Sequence, residues 1–174
     1  MYERILIALE GKETDGAVVA HTKSLAARMN AEVTLLRVIA VADDGGEGLG
    51  RQIQTEIGSN GLRRKNQAEA DLSQLERFLS LEGLRVETAL VVSTRSEADE
   101  IVHYAAQHGY DLIAMAADEQ PWYRRLLGGS PAGGVLRKAT VPTLFVGNGT
   151  RRAPETRTVP QTNQIMAILG SADL

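Results

Sequence analysis

Short unbroken runs of apolar residues alternate along the chain with segments in which apolar residues recur every three or four positions. The first run, ILIAL at residues 5–9, and the second, EVTLLRVI at residues 32–39, have the pattern of strands that are covered on both faces. Runs at residues 84–92, 111–116 and 142–146 have the same character. Together they predict five strands.

The segment after the first strand predicts a helix, because its apolar residues recur at helical spacing. Thr14 and Asp15 are alternative N-caps for this helix, and Asn30 can end it in a left-handed conformation. Between the second strand and the next helix, residues 40–61 are rich in glycine and acidic residues, and we expect a long surface loop there. One face of that next helix carries Ala68, Leu72, Leu75 and Leu79.

Serine residues mark the starts of two further helices. Ser96, with Asp99 three residues later, makes a capping-box-like start, and Ser130 can cap a helix that has Pro131 at its favoured first position. Strand and helix therefore alternate, which predicts an α/β fold with a mainly parallel sheet and helices on both faces. Ligand sites in such folds lie at the carboxyl ends of the strands, so the loops after residues 9, 39 and 116 are the candidates.

Composition narrows the class of protein. A length of 174 residues predicts one domain with one core, and a net charge of −3 gives no broad attraction for nucleic acid. The chain has no cysteine, which excludes a disulfide framework and a thiolate nucleophile and suits a reducing compartment. It has no apolar leader and no run of about 20 apolar residues. We expect a cytoplasmic protein that binds neither nucleic acid nor membranes.

The loop after the fourth predicted strand carries a spaced motif. Ala116 and Glu119 are followed by nine residues and then by Gly129 and Ser130. This frame resembles the G-x-x-G, nine residues, G-[ST] segment of the universal stress protein family, with Ala116 and Glu119 in place of the two glycines. The stretches ERILIALEG and KATVPTLFVG are similar to the first and last strands of that family. The resemblance covers residues 3–147.

This resemblance implies an adenine nucleotide alpha hydrolase-like, Rossmann-like fold with a five-stranded sheet in the order 3-2-1-4-5. It also implies a homodimer formed largely through the last strand, which runs from Pro142 to Val146. We assign residues 1–147 to the universal stress protein domain and residues 148–174 to an extended tail. Most of this tail is polar, and it contains two prolines. A short apolar patch at residues 165–169 either docks on the body or contacts a partner, and it could form a short helix.

The resemblance further implies a site for ATP whose residues can be carried over position by position. The base and ribose side would consist of Ala8, Leu9, Glu10 and Val38. The phosphate side would consist of Met115, Ala116, Glu119, Gly129, Ser130 and Pro131. Glu10 keeps the acidic acceptor that follows the first strand of the family, but it is one methylene longer than the usual aspartate.

Two departures weaken the predicted phosphate side. Ala116 adds a methyl group, which ordinary backbone angles would tolerate. Glu119 places a carboxylate beside the phosphates, at a position expected to need positive φ, and Asp118 adds a second negative charge, although Arg124 and Arg125 could offset the acids. We therefore predict a dimeric regulatory or stress-response protein that acts through protein contacts with weak or no ATP binding. The alternative is an ATP-binding switch with slow or no hydrolysis.

Other candidate chemistry in the sequence leads to no assigned catalytic or metal-binding residue. Residues 128–132 imitate a nucleophile elbow, but no histidine follows His108, and the three histidines have no metal-binding spacing. Ser130 either helps to hold an anion or only satisfies the amides of its own helix. Trp122 and Tyr123 either cover the site or form a protein contact. A flavoprotein of the same architecture is a third interpretation, and no residue supports it.

Overall fold

The structure, a computed structural model, describes residues 1–41, 59–117 and 130–147. Strands and helices alternate along these residues. In chain order they are β1 (Arg4–Leu9), α1 (Asp15–Met29), β2 (Glu32–Ala40), α2 (Ser59–Leu81), β3 (Arg85–Ser93), α3 (Glu97–His108), β4 (Leu112–Ala117), α4 (Pro131–Lys138) and β5 (Thr143–Gly147). The strands begin and end within one residue of the predicted bounds. The prediction of a loop at residues 59–61 is wrong, because α2 already begins there, and residues 42–58 and the tail lie outside the described residues.

All five strands form one sheet in the order β3-β2-β1-β4-β5, and each neighbouring pair is parallel. The predicted strand order is therefore confirmed. β1 is central, with Ala8 opposite Leu36 of β2 and Met115 of β4. The chain order reverses between β1 and β4, and the carboxyl ends of these strands therefore form the edge where a ligand is expected.

Successive side chains of β1 belong alternately to two apolar layers, one on each face of the sheet. Ile5, Ile7 and Leu9 pack on one face with apolar residues of α1 and α2. Leu6 and Ala8 pack on the other face with residues of α3 and α4. Because successive side chains of a strand point to opposite faces, neighbouring residues at the end of β1 belong to different layers.

The starts of α3 and α4 follow the prediction. The Ser96 hydroxyl accepts a hydrogen bond from the backbone N–H of Asp99 at 3.2 Å, and the Ser130 hydroxyl accepts one from Gly133 at 3.2 Å. Pro131 occupies the first position of α4. Both helices are thus fixed by local side-chain caps.

The start of α1 differs from the prediction. Thr14 stands at the N-cap position but makes no side-chain cap hydrogen bond there. Asp15 does not cap the helix either, because its carboxylate bonds back to the loop that follows β1. Asn30 ends the helix with φ of 54°, as predicted.

The long helix α2, with 23 residues, packs its predicted apolar face on the sheet. Leu72 and Leu79 are buried, and Leu75 is partly buried against the same layer. Within the described ranges, neither this helix nor any other has the length and apolar content needed to cross a bilayer.

Candidate ligand site at the carboxyl edge of the sheet

Glu10 directly follows β1, and its side chain is only 10% exposed. Its Oε2 atom forms an ion pair with the ammonium group of Lys12. Its Oε1 atom is buried and has no hydrogen-bond partner in the described part of the chain. A buried polar atom without a partner costs free energy, so Oε1 can gain from a hydrogen-bond donor on a ligand.

Asp15 holds the loop between β1 and α1. Its carboxylate accepts hydrogen bonds from the backbone N–H groups of Glu10 at 3.2 Å, Gly11 at 2.6 Å and Lys12 at 3.2 Å. Burial raises the pKa of Asp15, and the backbone hydrogen bonds act in the opposite direction. The carboxylate thus fixes the loop that carries Glu10.

The guanidinium of Arg37, on β2, lies directly against Gly11. A β-carbon at Gly11 would stand 2.6 Å from Nη1 and Nη2 of Arg37, and the φ of Gly11 is 71°. The backbone angle calls for glycine at this position, and any side chain there would also displace the end of the Arg37 side chain. The Nε and Nη1 atoms of Arg37 are buried and have no hydrogen-bond partner among the described residues.

A cavity of about 720 Å³ lies between the ends of β1 and β2 and α2. Its volume is in the range of small-molecule sites. Burial raises the pKa of Glu97 on its wall, the charge of Glu10 adds to that effect, and Arg37 opposes it. Among the described residues, the charged side chains of the lining are Arg37, Arg63, Arg64, Asp15, Asp71 and Glu97.

The start of α4 offers few amides to a phosphate group. Pro131 has no N–H, and Gly133 donates to the Ser130 hydroxyl. The bond from Gly134 to the Ser130 carbonyl, at 3.0 Å, is the ordinary first hydrogen bond within the helix. Within residues 130–147, Ala132 is left as the first-turn amide without an acceptor. Ser130 therefore acts as the cap of its own helix, which is one of the two roles predicted for it.

The residues carried over from the family motif lie in both apolar layers. Ala8, Val38 and Met115 are buried in the layer under α3 and α4. Leu9 and Ala116 are buried in the layer with α1 and α2. The structure thus brings them to one end of the sheet but not to one face, and Leu9 and Val38 line the cavity.

Of the two residues that stand in place of the glycines of the family motif, the structure describes Ala116 but not Glu119. Ala116 is not among the residues with positive φ, and Asn30 is the one such non-glycine residue in the described ranges. The methyl group of Ala116 is therefore compatible with its backbone, as expected. Glu119 and Gly129 lie outside the described residues, and the expectations for them stay predictions.

Sequence reasoning missed Arg37 and the loop contacts of Asp15. After its first residue, a glutamate, the strand sequence EVTLLRVI contains one charged residue, Arg37. A charge inside an otherwise buried strand is unusual, and this pattern could have pointed to Arg37. Arg63 and Arg64 gave no comparable signal, because charged residues are ordinary on an exposed helix face.

Residues 1–147 match the model of the universal stress protein family, and the chain belongs to that family. Two universal stress proteins of Methanocaldococcus jannaschii, MJ0531 and MJ0577, are each 28% identical to this chain. Each match covers 84% of this chain, with 82% of MJ0531 and 95% of MJ0577. The solved structure of MJ0577 covers 86% of this chain and 99% of its own, with a TM-score of 0.65. The predicted Rossmann-like fold of the adenine nucleotide alpha hydrolase type is thereby confirmed.

Two more distant structures of the same fold contain nucleotides. A universal stress protein in complex with cAMP is 19% identical, with a TM-score of 0.62, and covers 85% of this chain and 98% of that one. A universal stress protein from Archaeoglobus fulgidus in complex with dAMP is 19% identical, with a TM-score of 0.59, over 83% and 98%. At this identity they bear on the fold alone.

Proposed function

We propose that this chain is a cytoplasmic regulatory protein of the stress response that holds ATP weakly and acts through protein contacts as a homodimer. The observation that carries the weak binding of ATP is the start of α4. A triphosphate is held in this type of site by backbone amides at a helix start, because those N–H groups have no partner within the helix. Here Pro131 supplies no N–H, and the hydroxyl of Ser130 already accepts the N–H of Gly133.

Charge acts in the same direction as the shortage of amides. Glu119 and Asp118 belong to the segment that the family resemblance assigns to the phosphate side. Like charges a few ångströms apart repel, more strongly where the site excludes water. The phosphate side therefore combines few donors with added negative charge.

Calorimetric titration of ATP with magnesium tests this proposal on three forms of the protein: wild type, Glu119→Gly and Glu119→Gln. We expect the wild type to have a dissociation constant of about 0.1 mM or weaker. Glu119→Gly should bind about tenfold more tightly, because it removes the charge and also removes the side chain at a position expected to need positive φ. Glu119→Gln, which removes the charge but keeps the side chain, should lie between them. Low-micromolar binding by the wild type would contradict the proposal.

An ATP-binding switch with slow or no hydrolysis is the second candidate function. The Oε1 atom of Glu10 is buried and has no partner among the described residues, and this favours the switch, because the atom can accept a hydrogen bond from the amino group of a base. Nucleotide released when the purified protein is denatured would support the switch. Its absence after purification without added phosphate would favour the regulator that works by contacts.

The homodimer is proposed to form through β5. This strand lies at one edge of the sheet, and four of its five residues are half-buried. An edge strand presents backbone N–H and C=O groups that a second strand can pair with. The cysteine-free composition supports the cytoplasmic location, because no part of the chain depends on an oxidising compartment.

A further inference from the structure

One side of β3 has no neighbouring strand among the described residues. β3 is the outermost strand of the sheet, and of the described strands it pairs with β2 alone. An edge strand presents a row of backbone N–H and C=O groups that a further strand can pair with. The side of β3 that points away from β2 is therefore a surface on which an extended segment can bind.

The two halves of β3 differ in chemistry. The amino half carries Arg85, which donates a hydrogen bond to Glu32 at 2.9 Å, and the exposed Glu87. The carboxyl half, ALVV at residues 89–92, contains no charged residue, and Val92 is exposed. Charged side chains protect an edge strand against pairing, so the unprotected part of β3 is its carboxyl half.

This half of β3 has apolar residues on both faces of the sheet. Leu90 packs with the layer of α1 and α2, and Ala89 and Val91 pack with the layer under α3 and α4. All three are only half-buried. A strand added beside them would lie next to apolar residues on both faces, because successive side chains of a strand point to opposite faces. Its sequence should therefore be apolar at every position and not only at alternate ones.

Such a run is present in the tail, outside the described residues. Residues 165–169, with the sequence IMAIL, are apolar at every position and lie between Gln164 and Gly170. We propose that this run binds the free side of β3 as a sixth strand of the sheet. The tail would then cover the unprotected half of β3 and leave β5 open. This proposal does not depend on nucleotide binding.

The length of the tail is sufficient for this position. β5 ends at Gly147, and β3 ends at the same edge of the sheet because all five strands are parallel. The added strand would stand five strand spacings of about 4.8 Å from β5, which is about 24 Å. Residues 148–164 can span up to about 56 Å when extended. The shortest path enters beside Val92, so the added strand runs antiparallel to β3.

A second copy of β3 fits this surface less well than the tail. In a symmetric antiparallel pair along the whole of β3, Glu87 would stand opposite Val91 of the partner subunit. A charge that loses water beside an apolar side chain costs free energy. The uncharged run of the tail has no such conflict.

Distances between spin labels on the full chain test the proposal. Since the chain has no cysteine, Thr94→Cys can be combined with either Gln164→Cys or Ser171→Cys, and all three positions flank the proposed contact. The distance from position 94 should be about 20 Å shorter to position 164 than to position 171, because the added strand runs away from Thr94. Pulsed electron paramagnetic resonance in an excess of unlabelled protein measures distances within one chain.

Three results of this experiment would overturn the proposal. Equal distances, or a shorter distance to position 171, would exclude an antiparallel strand beside β3. Broad distance distributions for both pairs would show that the run has no fixed place on the sheet. A short distance that disappears on dilution with unlabelled protein would show that the run binds a second copy.

Amide exchange measured by nuclear magnetic resonance provides an independent readout. In residues 88–92, the N–H groups that point away from β2 should exchange at least about tenfold faster in Ile168→Asp than in the wild type, because the charge releases the added strand. The matched control, Thr162→Asp, places the same charge outside the run and should leave this exchange unchanged. The amides of β1 show in both variants that the fold is intact. Unchanged exchange in Ile168→Asp, or an equal increase in both variants, would overturn the proposal.

Discussion

Glu10 and Asp15, five residues apart, use their carboxylates in different ways. Both oxygens of Asp15 accept backbone hydrogen bonds from the loop, whereas one oxygen of Glu10 stays without a partner in the described residues. A satisfied buried acceptor fixes the chain, and an unsatisfied one gains when a donor arrives. We therefore expect Asp15 to contribute to stability and Glu10 to contribute to binding.

Replacement of Asp15 by alanine should lower the free energy of unfolding by about 2–3 kcal/mol, because it leaves loop amides without an acceptor. Urea unfolding measures the change. Asp71→Ala is the control, since it removes an exposed carboxyl from the wall of the same cavity and should cost less than about 0.5 kcal/mol. Equal losses in the two variants would contradict the role given to Asp15.

Replacement of Glu10 by glutamine should weaken adenosine and AMP by the same factor, about fivefold to tenfold, because a neutral acceptor forms a weaker hydrogen bond than a carboxylate. Calorimetry of both ligands measures the loss, with the exposed Glu13→Gln as the control on the same loop. Unchanged adenosine binding would show that Glu10 does not contact the base.

At the scale of helices and strands, α3 and α4 approach each other closely through small residues. A β-carbon at Gly134 of α4 would stand 2.4 Å from the β-carbon of Ala98 in α3. The close approach needs glycine for its size, since Gly134 has no positive φ. The small residues thus let α4 pack closely on α3.

Gly134→Ala should therefore destabilise the protein by about 1–3 kcal/mol through overpacking. The matched variant is Gly16→Ala in α1, where a β-carbon would meet no atom within 4 Å. That variant should gain about 0.5–1 kcal/mol, because alanine favours the helix more than glycine does. Thermal unfolding measures the stability of both variants against the wild type. An increase in stability for Gly134→Ala would contradict the described packing.

The elements of this fold are predictable from sequence where the deciding interaction is local. Ser96 and Ser130 cap helices through amides three residues away, and the buried strands are recognisable as apolar runs. Asp15 also makes local hydrogen bonds, but it accepts them from the three loop amides before it and not from its own helix. The start of α2 at Ser59 lies in a glycine-containing stretch whose local propensity favours a loop.

At the scale of the molecule, alternation of strands and helices predicts a parallel sheet, while the strand order came from the family resemblance. The site is less predictable, because it depends on contacts between elements distant in sequence. Arg37 meets Gly11 only once β2 lies beside β1. No periodicity or spacing in the sequence encodes that contact.

The proposed dimer makes a prediction for the two edges of the sheet. Because the chain has no cysteine, Thr143→Cys on β5 and Thr88→Cys on β3 each accept a single spin label. The two edges of one sheet are four strand spacings of about 4.8 Å apart. In a dimer through β5, the two Thr88 labels should therefore be farther from each other than the two Thr143 labels, by up to about 38 Å. Pulsed electron paramagnetic resonance measures both distances. The proposed dimer would be contradicted if the two Thr88 labels were closer together than the two Thr143 labels, or if no distance between two Thr143 labels were detected.

The relative affinity of AMP and ATP tests most directly the central claim that this edge accepts a nucleotide while its triphosphate side is weakened. Both should be titrated into the same nucleotide-stripped protein with magnesium. The few amides left at the start of α4 and the charge of Glu119 predict that ATP binds at least about threefold more weakly than AMP. Binding of ATP about tenfold or more tightly than AMP would contradict the claim and would show a working triphosphate site.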